Sequence, residues 1–223
     1  MNDPSPVVAT RGARTPRARN GTAQAQRLTR AQQRERTRAA LVEAAVHVIG
    51  DSGYAGASVT AITRRAGVAQ GTFYNYFESR EDLFDRLLPT LSRTMFDRIR
   101  VAADGAPTEA AREEASLRAY FEFVREVPQF YRILYEAEIF APAAHRSYIE
   151  RVARSYARTL QRARTRGEIA AFSRRELESI VYMLMGARHY LSMRHMHRGH
   201  RDRLMPDWVI KAYMRLIRGL YQA

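Results

Sequence analysis

The stretch Ser58 to Phe77, SVTAITRRAGVAQGTFYNYF, constrains this chain more than any other. Val59, Ile62 and Ala66 stand at i, i+3 and i+7, one face of a short helix, and Ser58 is placed to cap its first free backbone N–H groups. Gly67 takes a left-handed conformation without steric penalty, so it ends that helix and turns the chain. A second helix is predicted from about Gln70 to Phe77, with Phe73 and Phe77 on one side and Gly71, Thr72 and Asn75, small or polar, on the other. Two short helices joined by a glycine turn, the second with one apolar face and one groove-sized polar face, describe a helix-turn-helix. Double-stranded DNA is therefore the first expected partner.

The flanking sequence supplies what such a motif needs to stand. From about Leu28 to Asp51 the chain reads as one helix, with Leu41, Ala44, Ala45 and Val48 on its apolar face and Gly50 and Gly53 ending it. Packed behind the pair, it makes a three-helix unit. Ser79 caps a further helix, with Asp82 at the third position in a capping-box-like pattern and Arg80 in the first turn. Its stripe is Phe84, Leu87, Leu88, Leu91 and Met95, and Pro89 within it removes one helical hydrogen bond and favours a kink.

The run from Arg38 to Leu87, RAALVEAAVHVIGDSGY followed later by SVTAITRRAGVAQGTFYNYFESREDL, resembles the DNA-binding domain of the tetracycline-repressor (TetR) family of bacterial transcription regulators. The glycine turn, the Thr-aromatic-Tyr recognition helix and the basic residue opening the next helix carry the resemblance; the rest of the chain is similar only in length and helical character. On this resemblance Gln70, Thr72 and Tyr74 match positions that reach bases or phosphates, and Asn75, Tyr76 and Arg80 match positions that hold the backbone. Ser58, Thr60, Arg64 and Gly71 complete the candidate DNA contacts, with Arg65 less clearly placed. Chemistry agrees in part: Gln70 can pair bidentately with adenine, and Thr72 or a tyrosine can meet thymine methyls. Packing inside the small domain is the alternative for Tyr74 and Tyr76. Ala61 stands where the family often has an acidic residue, which puts a minor surface contact in doubt. The resemblance also implies that the helix after Ser79 is a lever moved by ligand, with Pro89 either its hinge or a tolerated kink. It implies too that the last two helices pair with their copies in a four-helix bundle.

Composition agrees with a polyanionic partner. The 223 residues carry a formal net charge of +14, almost all of the basic side chains being arginine, with Lys211 the one lysine. An arginine-rich proteome is the competing source of that excess. Nine arginines through residue 38, against Asp3 and Glu35, place half the charge before the first core residue. Residues 1–27 have no periodicity and are expected to form a disordered basic arm that contacts phosphates or a minor groove, or else a solvated tail. Cysteine is absent and no apolar run approaches a membrane span, so the expected compartment is the cytoplasm, without a membrane partner.

DGAPT at 104–108 is a break, after which helices are predicted at about 108–126, 128–139, 142–166, 173–198 and 206–221, separated by Pro128, Pro142, Gly167 and Pro206. No segment alternates with period two, so the fold class is all-α. The last two helices carry wide stripes: Leu177, Ile180, Val181, Leu184 and Leu191, then Val209, Tyr213, Leu216 and Leu220. Core packing within one chain explains these as well as a homodimer does. Aromatic, Met and His side chains are dense in this half. Tyr120, Phe121, Tyr131, Leu134 and Phe140, with Tyr148, Tyr182, Met185 and His189, are the candidate lining of a pocket for a small apolar or aromatic effector. Each taken singly is equally at home in a core. An acyl-CoA or fatty acid follows family habit more than these residues.

Arg188 and His189 interrupt an apolar helix and either meet an anionic group or form a solvated stripe or intersubunit ion pair. Glu113, Glu114, Glu136 and Glu138 read as solvated helix faces. His195, His197 and His200 fit no metal motif, and no phosphate loop, dinucleotide glycine pattern, nucleophile elbow or HExxH occurs, so neither cofactor, metal nor catalysis is expected. The resulting organisation is an arm at 1–27, a helix-turn-helix domain at 28–78 and a ligand-binding and dimerisation domain at 79–223. The function expected is a dimeric, ligand-released repressor on a palindromic operator, with activation the other mode. A helical ligand carrier with a vestigial helix-turn-helix is the alternative.

Overall fold

The structure, a computed structural model, describes residues 29–169, 172–196 and 204–222. The arm, His197 and His200 lie outside the described residues. Within them the chain is helical and no strand occurs. The elements are α1 (Arg30–Gly56), α2 (Val59–Ala66), α3 (Gln70–Phe73), α4 (Arg80–Ala103), α5 (Glu109–Glu126), α6 (Phe130–Phe140), α7 (Pro142–Thr165), α8 (Arg174–Met196) and α9 (Asp207–Gln222).

Thr29 starts α1 with a reciprocal capping box: its hydroxyl accepts from the Gln32 N–H at 3.2 Å, and the Gln32 side chain accepts from the Thr29 N–H at 2.8 Å. Leu41, Ala44, Ala45 and Ile49 form the buried face. Gly50 does not end the helix as the sequence reading expected. It lies inside α1, where a Cβ would stand 2.2 Å from Cγ of Gln129, so its role is to let the start of α6 approach. Gly53, at φ 75° and ψ 173°, is where the helical course breaks, one turn before Gly56.

α2 is capped by Ser58, whose hydroxyl accepts from the Ala61 N–H at 3.1 Å, and ends at Gly67 in the left-handed region (φ 70°, ψ 31°). The regular part of α3 is four residues, shorter than the predicted helix. Hydrogen bonds from Asn75 N to Thr72 O, Tyr76 N to Phe73 O and Phe77 N to Phe73 O continue the winding to Phe77 as a tighter final turn. Ile62, Phe73 and Phe77 are buried in the common hydrophobic core, each contributing about 1.5–3 kcal/mol.

α4 joins the two halves. Ser79 caps it as expected, but Asp82 closes the box on the Glu78 N–H rather than on that of Ser79. Leu83, Phe84, Leu87 and Leu88 pack into the core shared with α1, while Met95, Phe96 and Ile99 reach the second half. Leu91 is half-buried, and Pro89 sits on the exposed side of a continuous helix.

The second half wraps α5, α6 and α7 around α4, with α8 on α7 and α9 on α5. Thr108 caps α5 and Pro142 opens α7, both at the predicted places. Two buried carboxylates bind these helices together. Glu109 is fully buried in the first turn of α5, with Arg162 and Arg166 at 3.1 Å and Arg112 at 3.6 Å. Glu113, one turn on, accepts from Arg188 at 2.9 Å and from the Tyr213 hydroxyl at 2.6 Å, tying α5 to α8 and α9.

Candidate nucleic-acid interface and effector cavity

The α2–α3 pair presents the expected polar face. Thr60, Arg64, Gln70, Gly71 and Asn75 are exposed, Tyr74 is 56% exposed, and Thr72, Tyr76 and Arg80 are half-buried around them. Phe73 and Phe77 face inward, 5.4 Å apart between ring centres, so burial fixes which side of α3 looks out. Thr60 donates to Oε1 of Gln70 at 3.4 Å, a long bond that spans the turn and engages only the amide oxygen of Gln70. Ser58 is exposed although its oxygen serves the cap, so its O–H stays available to a phosphate. Arg80 pairs with Glu81 at 3.1 Å and lies 5.3 Å from the Phe84 ring centre, which holds the guanidinium at the edge of the polar face. Arg65 turns away, toward Asp51 at 4.0 Å.

In the second half a cavity of about 330 Å³ opens between α4, α5, α7 and α8. Leu134, Tyr148, Met185 and Tyr120 line it as the sequence reading expected, with Tyr182 and His189 at its edge. Met95, Phe96 and Ile99 of α4 supply another wall, and Ile149, Val152 and Tyr156 of α7 a third. Arg188 also lines it. The pair with Glu113 leaves Nε of Arg188 buried and without an acceptor among the described residues. Burial pushes the phenols of Tyr148 and Tyr156 well above their ordinary range, so both remain neutral hydrogen-bonding groups.

Several expectations fail here. Phe140 is not in the cavity; it stacks on Tyr54 at 5.6 Å, between α1 and α6. Phe121 and Tyr131 are buried behind the wall, Tyr131 sharing a hydroxyl hydrogen bond with Tyr120. Arg188 is no solvated stripe or intersubunit cation, and Glu113 no solvated face: they pair inside one chain because each charge needs an opposite one where water is excluded. Glu136 is half-buried, accepting from the Tyr54 N–H at 2.7 Å and from Arg132 at 2.8 Å. In the last stripe Val209 and Tyr213 are buried in the chain's own core, whereas Leu216 is 76% exposed, so the two readings of that stripe divide between its residues.

A sequence profile described as bacterial regulatory proteins, tetR family, matches residues 41–87, the stretch from mid-α1 through the polar face to α4. Residues 41–87 are a tetR-family domain. The HTH-type transcriptional activator FasR of Mycolicibacterium smegmatis is 30% identical over 103 residues, 46% of this chain and 47% of FasR. The fatty acid metabolism regulator protein of Bacillus subtilis is 46% identical over 43 residues, 19% of this chain and 22% of that protein. The match thus spans about half the length of one relative and less of the other. Among solved structures, the fatty acid degradation regulator FadR from Bacillus halodurans aligns with a TM-score of 0.70 at 20% identity, covering 81% of this chain and 94% of that one. A TetR-like transcriptional regulator from Rhodococcus sp. RHA1 aligns at 0.63 and 22% identity, covering 88% and 97%. At such identities the likeness shows the fold alone, over both halves of the chain.

Among the described residues no group of His, Asp or Glu is arranged to hold a metal, and no helix is long and apolar enough to cross a membrane. His195 packs edge-on against Trp208 at 5.4 Å. The α4 wall and all of the α7 wall but Tyr148 were missed in the sequence, although the signal on α7 existed: Tyr148, Val152, Ser155 and Thr159 recur at i, i+4, i+7 and i+11.

Proposed function

We propose that this protein is a homodimeric transcriptional regulator, acting as a repressor, that binds a palindromic operator through α2 and α3 and releases it when an apolar, fatty-acyl effector enters the cavity of the second half. The observation that carries the reading is the polar face from Gln70 to Asn75, held outward by buried Phe73 and Phe77 and flanked by Arg64 and Arg80. A carrier of small molecules has no use for such a face.

The effector class is supported by the apolar cavity, and by relatives described as regulators of fatty acid metabolism or degradation. Dimerisation is supported by the outer faces of α8 and α9, where Tyr182, Met183, Tyr190, Trp208 and Leu216 stand exposed at helical spacing. A two-fold pair of recognition elements then suits a palindromic site, and a regulator working on DNA belongs in the cytoplasm.

The test is polarisation of labelled DNA from the gene's own upstream region, against excess nonspecific competitor at physiological salt. Tight binding is expected, weakening when a long-chain acyl ligand is added. Competitor-sensitive binding at that region and after selection from random DNA would sink the reading. Within the interface, Gln70→Ala is expected to cost about 1–3 kcal/mol and relax specificity, whereas Arg80→Ala weakens all sequences alike and lowers the salt slope by about 1.

A further inference from the structure

α1 does not run unbroken into the helix-turn-helix. At Gly53 the backbone takes φ 75° and ψ 173°, a region essentially confined to glycine, and the helix bends there. In a regular helix the Tyr54 N–H would donate to the Gly50 carbonyl, four residues earlier. Here the Tyr54 N–H donates to Oε2 of Glu136 at 2.7 Å, and the Gly50 carbonyl accepts from Nη1 of Arg132 at 3.1 Å. Nε of Arg132 donates to Oε1 of Glu136 at 2.8 Å and closes the circuit, while the Asp51 carbonyl is a second acceptor for Nη1. Two side chains one turn apart on α6 therefore stand in for one helical hydrogen bond of α1. They sit directly on the bend: a Cβ on Gly53 would lie 2.8 Å from Oε2 of Glu136 and 2.9 Å from Nη2 of Arg132.

This replacement is readily reversed. If the pair withdrew, the Tyr54 N–H and the Gly50 carbonyl could return to each other, leaving neither without a partner. The Arg132 and Glu136 side chains are 40% and 29% exposed, so water can take over their bonds. A hollow of about 240 Å³ bordered by Gly50, Asp51, Gln129 and Arg132 gives the guanidinium room to leave. α6 also reaches the other way. Leu134 is two positions from each member of the pair, hence on the opposite side of the helix, and it lines the apolar cavity. Beyond the bend, α1 leads through Ala57 and Ser58 straight into α2.

We propose that Arg132 and Glu136 are positioning residues for operator recognition, forming a latch that holds α1 bent at Gly53 in the operator-binding arrangement. A ligand pressing on Leu134 shifts α6, the pair lets go, α1 straightens, and α2 and α3 leave their register on the DNA. The two arrangements differ by an exchange of hydrogen bonds, so a modest push on α6 shifts the balance between them. The proposal rests on the reading of α2 and α3 as the DNA-binding elements and of the cavity as the effector site.

The test needs no effector, because Leu134→Trp fills the cavity from α6 and imitates one. Operator affinity is compared for the full-length parent, Leu134→Trp, the pair-less Arg132→Ala/Glu136→Ala variant, and the triple variant. Nonspecific DNA and a thermal melt serve as controls, and Leu134→Phe replaces Leu134→Trp if the latter fails to fold. Leu134→Trp and the pair-less variant are each expected to weaken the operator about tenfold without changing nonspecific binding. The triple variant is expected to lose no more than either, since both act on one latch. The amide proton of Tyr54, followed by NMR without DNA, is expected far downfield in the parent, where its acceptor is a carboxylate, and at ordinary helical values in the variants. A merely structural pair would not make Leu134→Trp move that resonance. Losses that multiply in the triple variant overturn the latch, as does parental operator affinity without the pair, or a Tyr54 resonance that Leu134→Trp leaves in place. If the parent holds no operator, the regulator reading falls, and the Tyr54 resonance alone still shows whether α6 works the bend.

Discussion

Arg188 and Glu113 lie 75 positions apart and meet at 2.9 Å inside the second half, with the Tyr213 hydroxyl on the same carboxylate oxygen. Removing one charge from a buried pair leaves the other unmatched, so Glu113→Gln is expected to destabilise the fold by about 3–5 kcal/mol. A urea melt reads this as a lower midpoint at unchanged slope; a shift under about 1 kcal/mol would mean that water reaches the pair. Neither residue could be placed from the sequence. A glutamate on an amphipathic helix looks solvated until its partner on a distant helix is known, and the same holds for Glu136, which meets the backbone of Tyr54. The candidate DNA contacts were readable because burial of Phe73 and Phe77, four positions apart, already decides which way Gln70, Tyr74 and Asn75 look.

At the scale of elements, helix ends were legible wherever a residue within three positions determines them. Ser58, Gly67, Ser79, Thr108 and Pro142 each stand at the observed boundary. Gly50 misled because glycine also serves close approach, and Gln129, which needs that room, belongs to another helix. The cavity was half legible for a related reason: aromatic density marked α5, α6, α8 and Tyr148 of α7, while α4 was read as the lever joining the two halves and given no share of the lining. α4 in fact serves both, its first turns packing with α1 and Met95, Phe96 and Ile99 lining the cavity. Pro89 lies between those stretches in an unbroken helix. Pro89→Ala restores one backbone donor and stiffens the helix. The expected outcome is a changed effector concentration for operator release with operator affinity little altered, measured by titrating effector into the protein–DNA complex; an identical release curve would remove Pro89 from the coupling.

For the whole molecule, the exposed apolar faces of α8 and α9 make self-association the expectation. Leu216→Glu is predicted to shift the sedimentation coefficient toward a monomer and to weaken operator binding together with it; an unchanged dimer would place the interface elsewhere. The packing of aromatic residues has a second global effect. Burial pushes the phenols of Tyr54, Tyr120, Tyr131, Tyr148, Tyr156 and Tyr213 above their ordinary range, and that of Tyr135 up to about 12. Above about pH 10 the unfolded chain releases these protons while the folded chain keeps them, so stability falls as pH rises through that range. Denaturation midpoints at neutral and strongly alkaline pH check the sign.

Arg132 and Glu136 grip the end of α1, the arginine on the Gly50 and Asp51 carbonyls at 3.1 Å and the glutamate on the Tyr54 N–H at 2.7 Å. The reading head is thus mounted at two points, the shaft of α4 and this clamp from α6. A change in the cavity walls on α4 therefore reaches α1, α2 and α3 against the hold of that clamp.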